Sequence, residues 1–227
     1  MSHSSSLGGG SFALISSGQM KLTRVQPLAL PDVKVIRFAR FRDERGYFTE
    51  LFRKSDLAQA EVGSLQGQEI LQINESVSGA GVCRGLHFQW NPFMGKLLRT
   101  LSGRMVDMVM DIRKGSPDYG KIIMYEMKAD LESGEDEWIW IPPGFAHGNW
   151  FTEPTRIQYL CTGEWNPNCE AGINPLADDL DWSLCASSLQ SEFQSLSLTI
   201  SAKDREAPNL AGWGADDRSG NFVYEKC

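Results

Sequence analysis

Histidine is scarce in this sequence: 227 residues hold only His3, His87 and His147. Histidine-based chemistry therefore has few places to reside. No Cys-x-x-Cys occurs, and the five cysteines (Cys83, Cys161, Cys169, Cys185 and Cys227) are odd in number and scattered. That argues against a disulfide framework and fits free thiols in a reducing compartment, so a cytoplasmic location is expected. No apolar run approaches the roughly 18 residues of a membrane-crossing helix. There is no Lys/Arg block, and 22 basic against 29 acidic residues leave a net charge of −7. Nucleic acid and membrane surfaces are therefore poor partners for it. Internal repeats are absent.

The sequence does have enough apolar residues, 41%, to close a core without staples. A chain of this length buries roughly 70% of its unfolded surface. Residues 1 to 20 are rich in Ser and Gly and lack the basic start of a signal peptide, so they read as a disordered lead-in and His3 drops out. From Val33 onward, short apolar runs alternate with turn signals such as Ser102-Gly103, Ser133-Gly134 and Pro142-Pro143-Gly144. Strands are expected at Val33–Phe38, Ile70–Val77, Lys96–Leu101, Arg104–Ile112, Ile122–Met127, Glu137–Ile141 and Arg156–Thr162. Many short strands at this spacing predict an all-β sandwich or barrel. Helices are expected only at Ser55–Val62 and Ala186–Ser195. One domain over residues 21–210 is expected, followed by a loose polar tail from 211 to 227.

Two segments carry histidine: Arg84-Gly85-Leu86-His87-Phe88-Gln89 and Pro142-Pro143-Gly144-Phe145-Ala146-His147-Gly148. Two His-bearing turns in a small β-barrel look like the paired motifs of the cupin fold. A metal-binding cupin wants His-x-His with a carboxylate soon after. Here Gln89 takes the second His position, and no Asp or Glu lies between Arg84 and Val106. A catalytic metal is not expected. Arg84, Lys96 and Arg99 instead surround His87 in sequence without local acids, which suits an anionic, phosphate-bearing small molecule.

The chain resembles the dTDP-4-dehydrorhamnose 3,5-epimerase family, metal-independent cupins of nucleotide-sugar biosynthesis. The resemblance rests on six stretches in order: 43–50 (Asp-Glu-Arg-Gly-Tyr-Phe-Thr-Glu), 72–76 (Gln-Ile-Asn-Glu-Ser), 84–89, 111–117 (Asp-Ile-Arg-Lys-Gly-Ser-Pro), 143–148 and 201–208 (Ser-Ala-Lys-Asp-Arg-Glu-Ala-Pro). It implies a cupin jelly-roll with a few short helices, no cofactor, and a homodimer whose N-terminal region exchanges between subunits. The implied substrate is a dTDP-linked 4-keto-6-deoxyhexose, which loses and regains protons at the two carbons flanking its ketone.

The same resemblance implies roles. His87 is the base, Asp204 orients its imidazole, Tyr159 is the acid, and Lys96 faces the developing oxyanion, with His147 beside them. Arg45, Arg84 and Lys203 match contacts to the diphosphate or nucleotide. Glu50, Gln72, Ile73, Asn74 and Glu170 match other substrate contacts, and Phe48 and Trp165 pack the thymine or sugar. The chain departs from the family pattern at several points: the loop over 90–95 lacks the usual Gln or Glu near Lys96, the segment from His147 to Tyr159 is one residue short, and an Asp-Pro pair after Glu170 is absent. Lys96 follows His87 by one residue fewer than expected, Asn149 stands where Phe is usual after Ala-His-Gly, and Trp165 replaces a common Tyr. Two alternatives stay open on sequence alone: an epimerase acting at one carbon, and a non-catalytic nucleotide-sugar-binding cupin.

Overall fold

The computed structural model describes residues 22–59 and 62–226. Six strands form one sheet: β1 (Leu22–Pro27), β2 (Lys34–Ala39), β5 (Gln72–Ser78), β7 (Lys96–Ser102), β10 (Glu135–Ile141) and β12 (Thr155–Cys161), in the spatial order β1-β2-β10-β7-β12-β5. Five form the facing sheet: β6 (Cys83–Gln89), β8 (Arg104–Asp111), β9 (Ile122–Lys128), β11 (Phe145–Phe151) and β13 (Glu170–Gly172), in the order β13-β6-β11-β8-β9. Every pairing within these sheets is antiparallel. This is the expected jelly-roll. A small hairpin of β3 (Phe41–Asp43) and β4 (Gly46–Phe48) stands apart from both sheets.

The period of two explains how one barrel buries three apolar layers. Along β8, Met105 and Val109 point into the barrel with Leu98, Ile139 and Ile157 of the opposite sheet. Val106, Met108 and Met110 point outward and are buried as well. Their cover comes from the chain after the barrel, including Ile173, Leu180, Phe193, Trp213 and Phe222. The outer face of the six-stranded sheet is covered likewise. Ile36, Leu97, Trp138 and Trp140 pack under Leu57 of α1 (Lys54–Gln59) and under Val62 and Leu65.

The helix expected at Ser55–Val62 is present as α1, described over Lys54–Gln59; residues 60–61 lie outside the described chain, and a 3-10 turn follows at Gly63–Leu65. The helix expected at Ala186–Ser195 is present as α2 (Ser187–Ser195). The lead-in over residues 1–20 also lies outside the described residues.

The loose tail expected from 211 to 227 needs correcting. α4 (Leu210–Ala215) and the turn after it carry Trp213 and Phe222 onto Phe88, at ring-centroid distances of 4.6 and 5.5 Å. Both side chains are fully buried. Lys114 donates its backbone N–H to the Phe222 carbonyl (2.9 Å) and accepts from Tyr224 N–H (3.0 Å). Polar, Gly-rich composition concealed two large aromatics that dominate the energetics of the segment. Truncating Trp213 to Ala is expected to destabilise the protein by about 3–5 kcal/mol in urea unfolding. A change below about 1 kcal/mol, the scale of a surface substitution, would mean that this segment is not part of the core.

Candidate active site

His87 enters the barrel because its strand neighbours Leu86 and Phe88 face the outer apolar layer. Gly85 and Gly148 bring β6 and β11 unusually close. A Cβ on Gly85, which has φ +107°, would meet the Gly148 Cα at 2.6 Å, and one on Gly148 would meet the Arg84 carbonyl oxygen at 2.3 Å. Only glycine fits either position. The register then sets His147 directly opposite His87.

Asp204 arrives from outside the barrel. It lies in the first turn of α3 (Ala202–Arg205), whose N-cap Ser201 accepts a hydrogen bond from the Asp204 backbone N–H at 3.1 Å. Its Oδ1 is 2.6 Å from His87 Nε2, and its Oδ2 accepts from Gly85 N–H at 3.2 Å. Burial alone would raise the pKa of this carboxyl, but the His87, Gly85 and Ser201 partners outweigh it and hold Asp204 below the usual carboxylate range. An ionised Asp204 accepts from Nε2–H, and that tautomer leaves Nδ1 as the basic nitrogen of His87.

A second chain of polar groups crosses the barrel interior. Lys96 Nζ lies 2.9 Å from His147 Nε2, and His147 Nδ1 lies 3.3 Å from Asp107 Oδ1. Burial, with the Lys96 and His87 charges adding to it, pushes the His147 pKa well below the ordinary imidazole value. A neutral His147 accepts from Lys96 and donates to Asp107. Lys96 is itself lowered by burial, against the pull of Cys161, Asp107 and Glu170. Asp107 is fully buried and raised well above its usual value by desolvation, with Lys96 and Asn149 acting in the opposite direction.

These groups line two adjoining cavities. The larger, about 550 Å³, reaches from Ser76 and Arg84 past His87 to His147 and Asn149. The smaller, about 380 Å³, holds Gln72, Asn74, Met94, Trp165 and Glu170. His87, Lys96 and Tyr159 belong to both, so the cavities meet at these three side chains. His87 projects from the five-stranded sheet, Tyr159 and Lys96 from the other. Among the described residues, no group of three or more His, Cys, Asp or Glu is placed to hold a metal ion. No described helix is long and apolar enough to cross a membrane.

A sequence profile of the family described as dTDP-4-dehydrorhamnose 3,5-epimerase matches residues 27–212. The chain belongs to the dTDP-4-dehydrorhamnose 3,5-epimerase family. It is an isomerase, a nucleotide-sugar 3,5-epimerase by kinship. Among its relatives, the Pseudomonas aeruginosa dTDP-4-dehydrorhamnose 3,5-epimerase is 35% identical over 176 residues, covering 76% of this chain and 92% of that protein. The protein of the same name from Sinorhizobium fredii is 39% identical over 153 residues, 65% of this chain and 73% of that one. A crystal structure of dTDP-6-deoxy-D-glucose-3,5-epimerase from Legionella pneumophila, in complex with dTDP-4-keto-L-rhamnose, superposes with a TM-score of 0.72 at 29% identity, covering 88% of this chain and 97% of that one.

Of the residues singled out by the family's motifs, the fold brings His87, Lys96, Tyr159, Asp204, Arg84, His147 and Lys203 to the larger cavity and Gln72, Asn74, Trp165 and Glu170 to the smaller. Lys203 ion-pairs with Glu170, tying the two rims together. Gln72 accepts from the Trp165 backbone N–H at 2.8 Å and donates to Asn74 at 3.0 Å. Trp165 is thereby pinned at the mouth with 57% of its surface exposed.

Four expected contacts line neither cavity of this chain. Ile73 alternates away from Gln72 and Asn74 onto the outer face of β5. Arg45 ion-pairs with Asp43 on the β3–β4 hairpin, Phe48 is exposed on the same hairpin, and Glu50 pairs with Arg53. Arg84 is exposed and donates from Nε to Ser78 Oγ at 2.9 Å. Burial and Cys161 raise the Tyr159 pKa against Arg84 and Asn74, so the phenol stays protonated. The sequence reading passed over Asp107, although the alternation of β8 already put it on the inward face with Met105 and Val109.

We expect the His147 ¹⁵N resonances to stay those of a neutral ring with Nδ1–H from about pH 8 down to about pH 5, where an ordinary imidazole protonates. A titration midpoint near the ordinary value would contradict this arrangement.

Proposed function

We propose that the protein epimerises C3 and C5 of a dTDP-linked 4-keto-6-deoxyhexose through enolate intermediates. One observation carries the reading: His87 and Tyr159 face one shared space from opposite sheets, with Lys96 between the two cavities. Inversion at a carbon needs proton removal on one face, return on the other, and a positive group for the enolate oxygen. His87 Nδ1 takes the proton from the carbon beside the ketone, breaking C–H as the enolate forms. Asp204 supports the resulting imidazolium. The Lys96 ammonium, donating toward the ketone oxygen, holds the negative charge. Tyr159 then gives its phenolic proton to the opposite face of the same carbon, and exchange with water resets both groups. A second round at the other flanking carbon completes the reaction.

Charge and shape fit the rest of such a substrate. Arg84 and Lys203 sit on the rim of the larger cavity, where a diphosphate needs cations. Trp165 offers an exposed ring at the other mouth for a base.

A homodimer accounts for two oddities. β5 is an edge strand with its polar side chains turned inward and its apolar ones outward: Ile73 and Val77 are 63% and 65% exposed. Phe48 is 65% exposed on a hairpin that touches neither sheet's core. A second copy covering β5 and receiving the hairpin buries both, and it takes Arg45, Phe48 and Glu50 to a partner's cavity. The free thiols of Cys83, Cys161, Cys169 and Cys185 fit the cytoplasm.

Proton NMR in D₂O with dTDP-4-keto-6-deoxyglucose tests the chemistry. We expect solvent deuterium at both C3 and C5, and a loss of at least about a hundredfold in His87→Ala. Exchange at one carbon alone would reduce the activity to a single epimerisation, and no exchange despite dTDP binding would leave a binding protein. Val77→Glu is expected to convert the dimer to monomer in sedimentation velocity; a wild-type monomer would overturn the dimer.

A further inference from the structure

Asn149 is a polar cavity residue that takes no part in the proton transfers above. Asn149 lies on β11 two residues beyond His147 and so on the same inward face, lines the larger cavity, and is 5% exposed. Its register partner on β8 is Asp107, so the two side chains stand side by side on the barrel's inner wall. Asp107 Oδ1 holds His147, but Oδ2 is sealed from solvent with no hydrogen-bond partner among the described residues. Asn149 Nδ2 meanwhile donates to Met105 Sδ at 3.3 Å, a weak acceptor. A buried carboxylate oxygen without a donor, beside an amide spent on a thioether, is an arrangement a small side-chain rotation resolves.

We propose that Asn149 is a positioning residue: its amide is the partner of Asp107 Oδ2 in both charge states of that carboxyl, and it thereby keeps the Asp107–His147–Lys96 chain aligned on the ketone oxygen. An amide is suited to this because it donates through nitrogen to a carboxylate and, turned over, accepts through oxygen from a carboxylic acid. The Lys96 ammonium gains and loses an anionic neighbour each time an enolate forms and collapses. A chain behind it that tolerates both charge states avoids stranding a buried charge.

The groups acting on this chain come from every packed strand. His147 and Asn149 come from β11, Lys96 from β7 and His87 from β6, with Cys161 of β12 and Glu170 of β13 acting on Lys96. The charge-assisted bond to the carboxylate is stronger than the bond to the acid, so Asn149 favours the ionised form of Asp107, and ionised Asp107 favours the charged form of Lys96. Removing the amide therefore lets Lys96 lose its proton at lower pH.

The proposal rests on the epimerase reading, and the test separates the two. Asn149→Leu keeps the branched outline of the side chain, in a larger group, and removes both hydrogen-bonding functions; Asn149→Ser restores a donor and acceptor. In Asn149→Leu we expect kcat for deuterium exchange to fall about tenfold with KM within about twofold, a split that marks a group acting at the transition state. The alkaline limb of the pH profile is expected to move to lower pH, and the Asp107 carboxyl ¹³C midpoint to move up. Asn149→Ser is expected to recover most of each. An unmoved Asp107 midpoint in Asn149→Leu overturns the proposal, even if the variant is slow. Wild-type protein without exchange refutes the epimerase reading, and the ¹³C midpoints still decide the role of Asn149.

Discussion

The Asp204 carboxylate, shared between the His87 imidazole and the Gly85 N–H, fastens the chain that follows the barrel to the strand that carries His87. β6 belongs to the barrel; α3 belongs to the chain that follows it. His87 and Asp204, 117 positions apart, are brought to a 2.6 Å contact by the packing of the C-terminal segment on the outer face of the five-stranded sheet. That outer apolar layer is therefore part of the catalytic geometry. Phe88 alternates outward against Trp213 and Phe222, which is what sends His87 inward.

The barrel interior shows how far an apolar core can be traded for chemistry. One end is packed with Leu98, Val109, Ile139 and Phe145. At the other, Lys96, Asp107 and His147 replace side chains that would fill the space. Isolated charges there would be prohibitive, since desolvation exceeds what one ion pair returns. The groups are instead arranged in a line, ammonium to imidazole to carboxyl, in which a neutral His147 passes hydrogen bonds in one direction. The neutral ring between them separates the Lys96 amine from the Asp107 carboxyl and leaves Lys96 open to the cavity.

Most of the fold was legible in sequence because period-two patterning and Gly/Pro turns mark antiparallel strands strongly. β8 was readable to the residue: its two faces, Val106-Met108-Met110 and Met105-Val109, are the outer and inner layers of the structure. β5 was legible as a strand but not in orientation. Hydrophobic patterning assigns apolar residues to the inside, whereas Gln72, Asn74 and Ser76 face the cavities and Ile73 and Val77 face out. The C-terminal segment was misread for the opposite reason, since composition averages away two aromatics in a polar stretch. For the site, the family's motifs carried His87, Lys96, Tyr159 and Asp204, which no spacing rule links. Asp107 and Asn149 needed the structure, because only cross-strand register shows that they are neighbours.

The dependence of His87 on Asp204 is most directly tested by a double-mutant cycle on the exchange rate with His87→Ala, Asp204→Asn and the pair. Residues that act as one unit are strongly non-additive. Once His87 is gone, removing the Asp204 charge is expected to change the remaining rate by no more than about twofold, although Asp204→Asn alone lowers it by about a hundredfold or more. Losses that multiply in the double variant would show that Asp204 acts independently of His87 and would contradict the base assigned to this site.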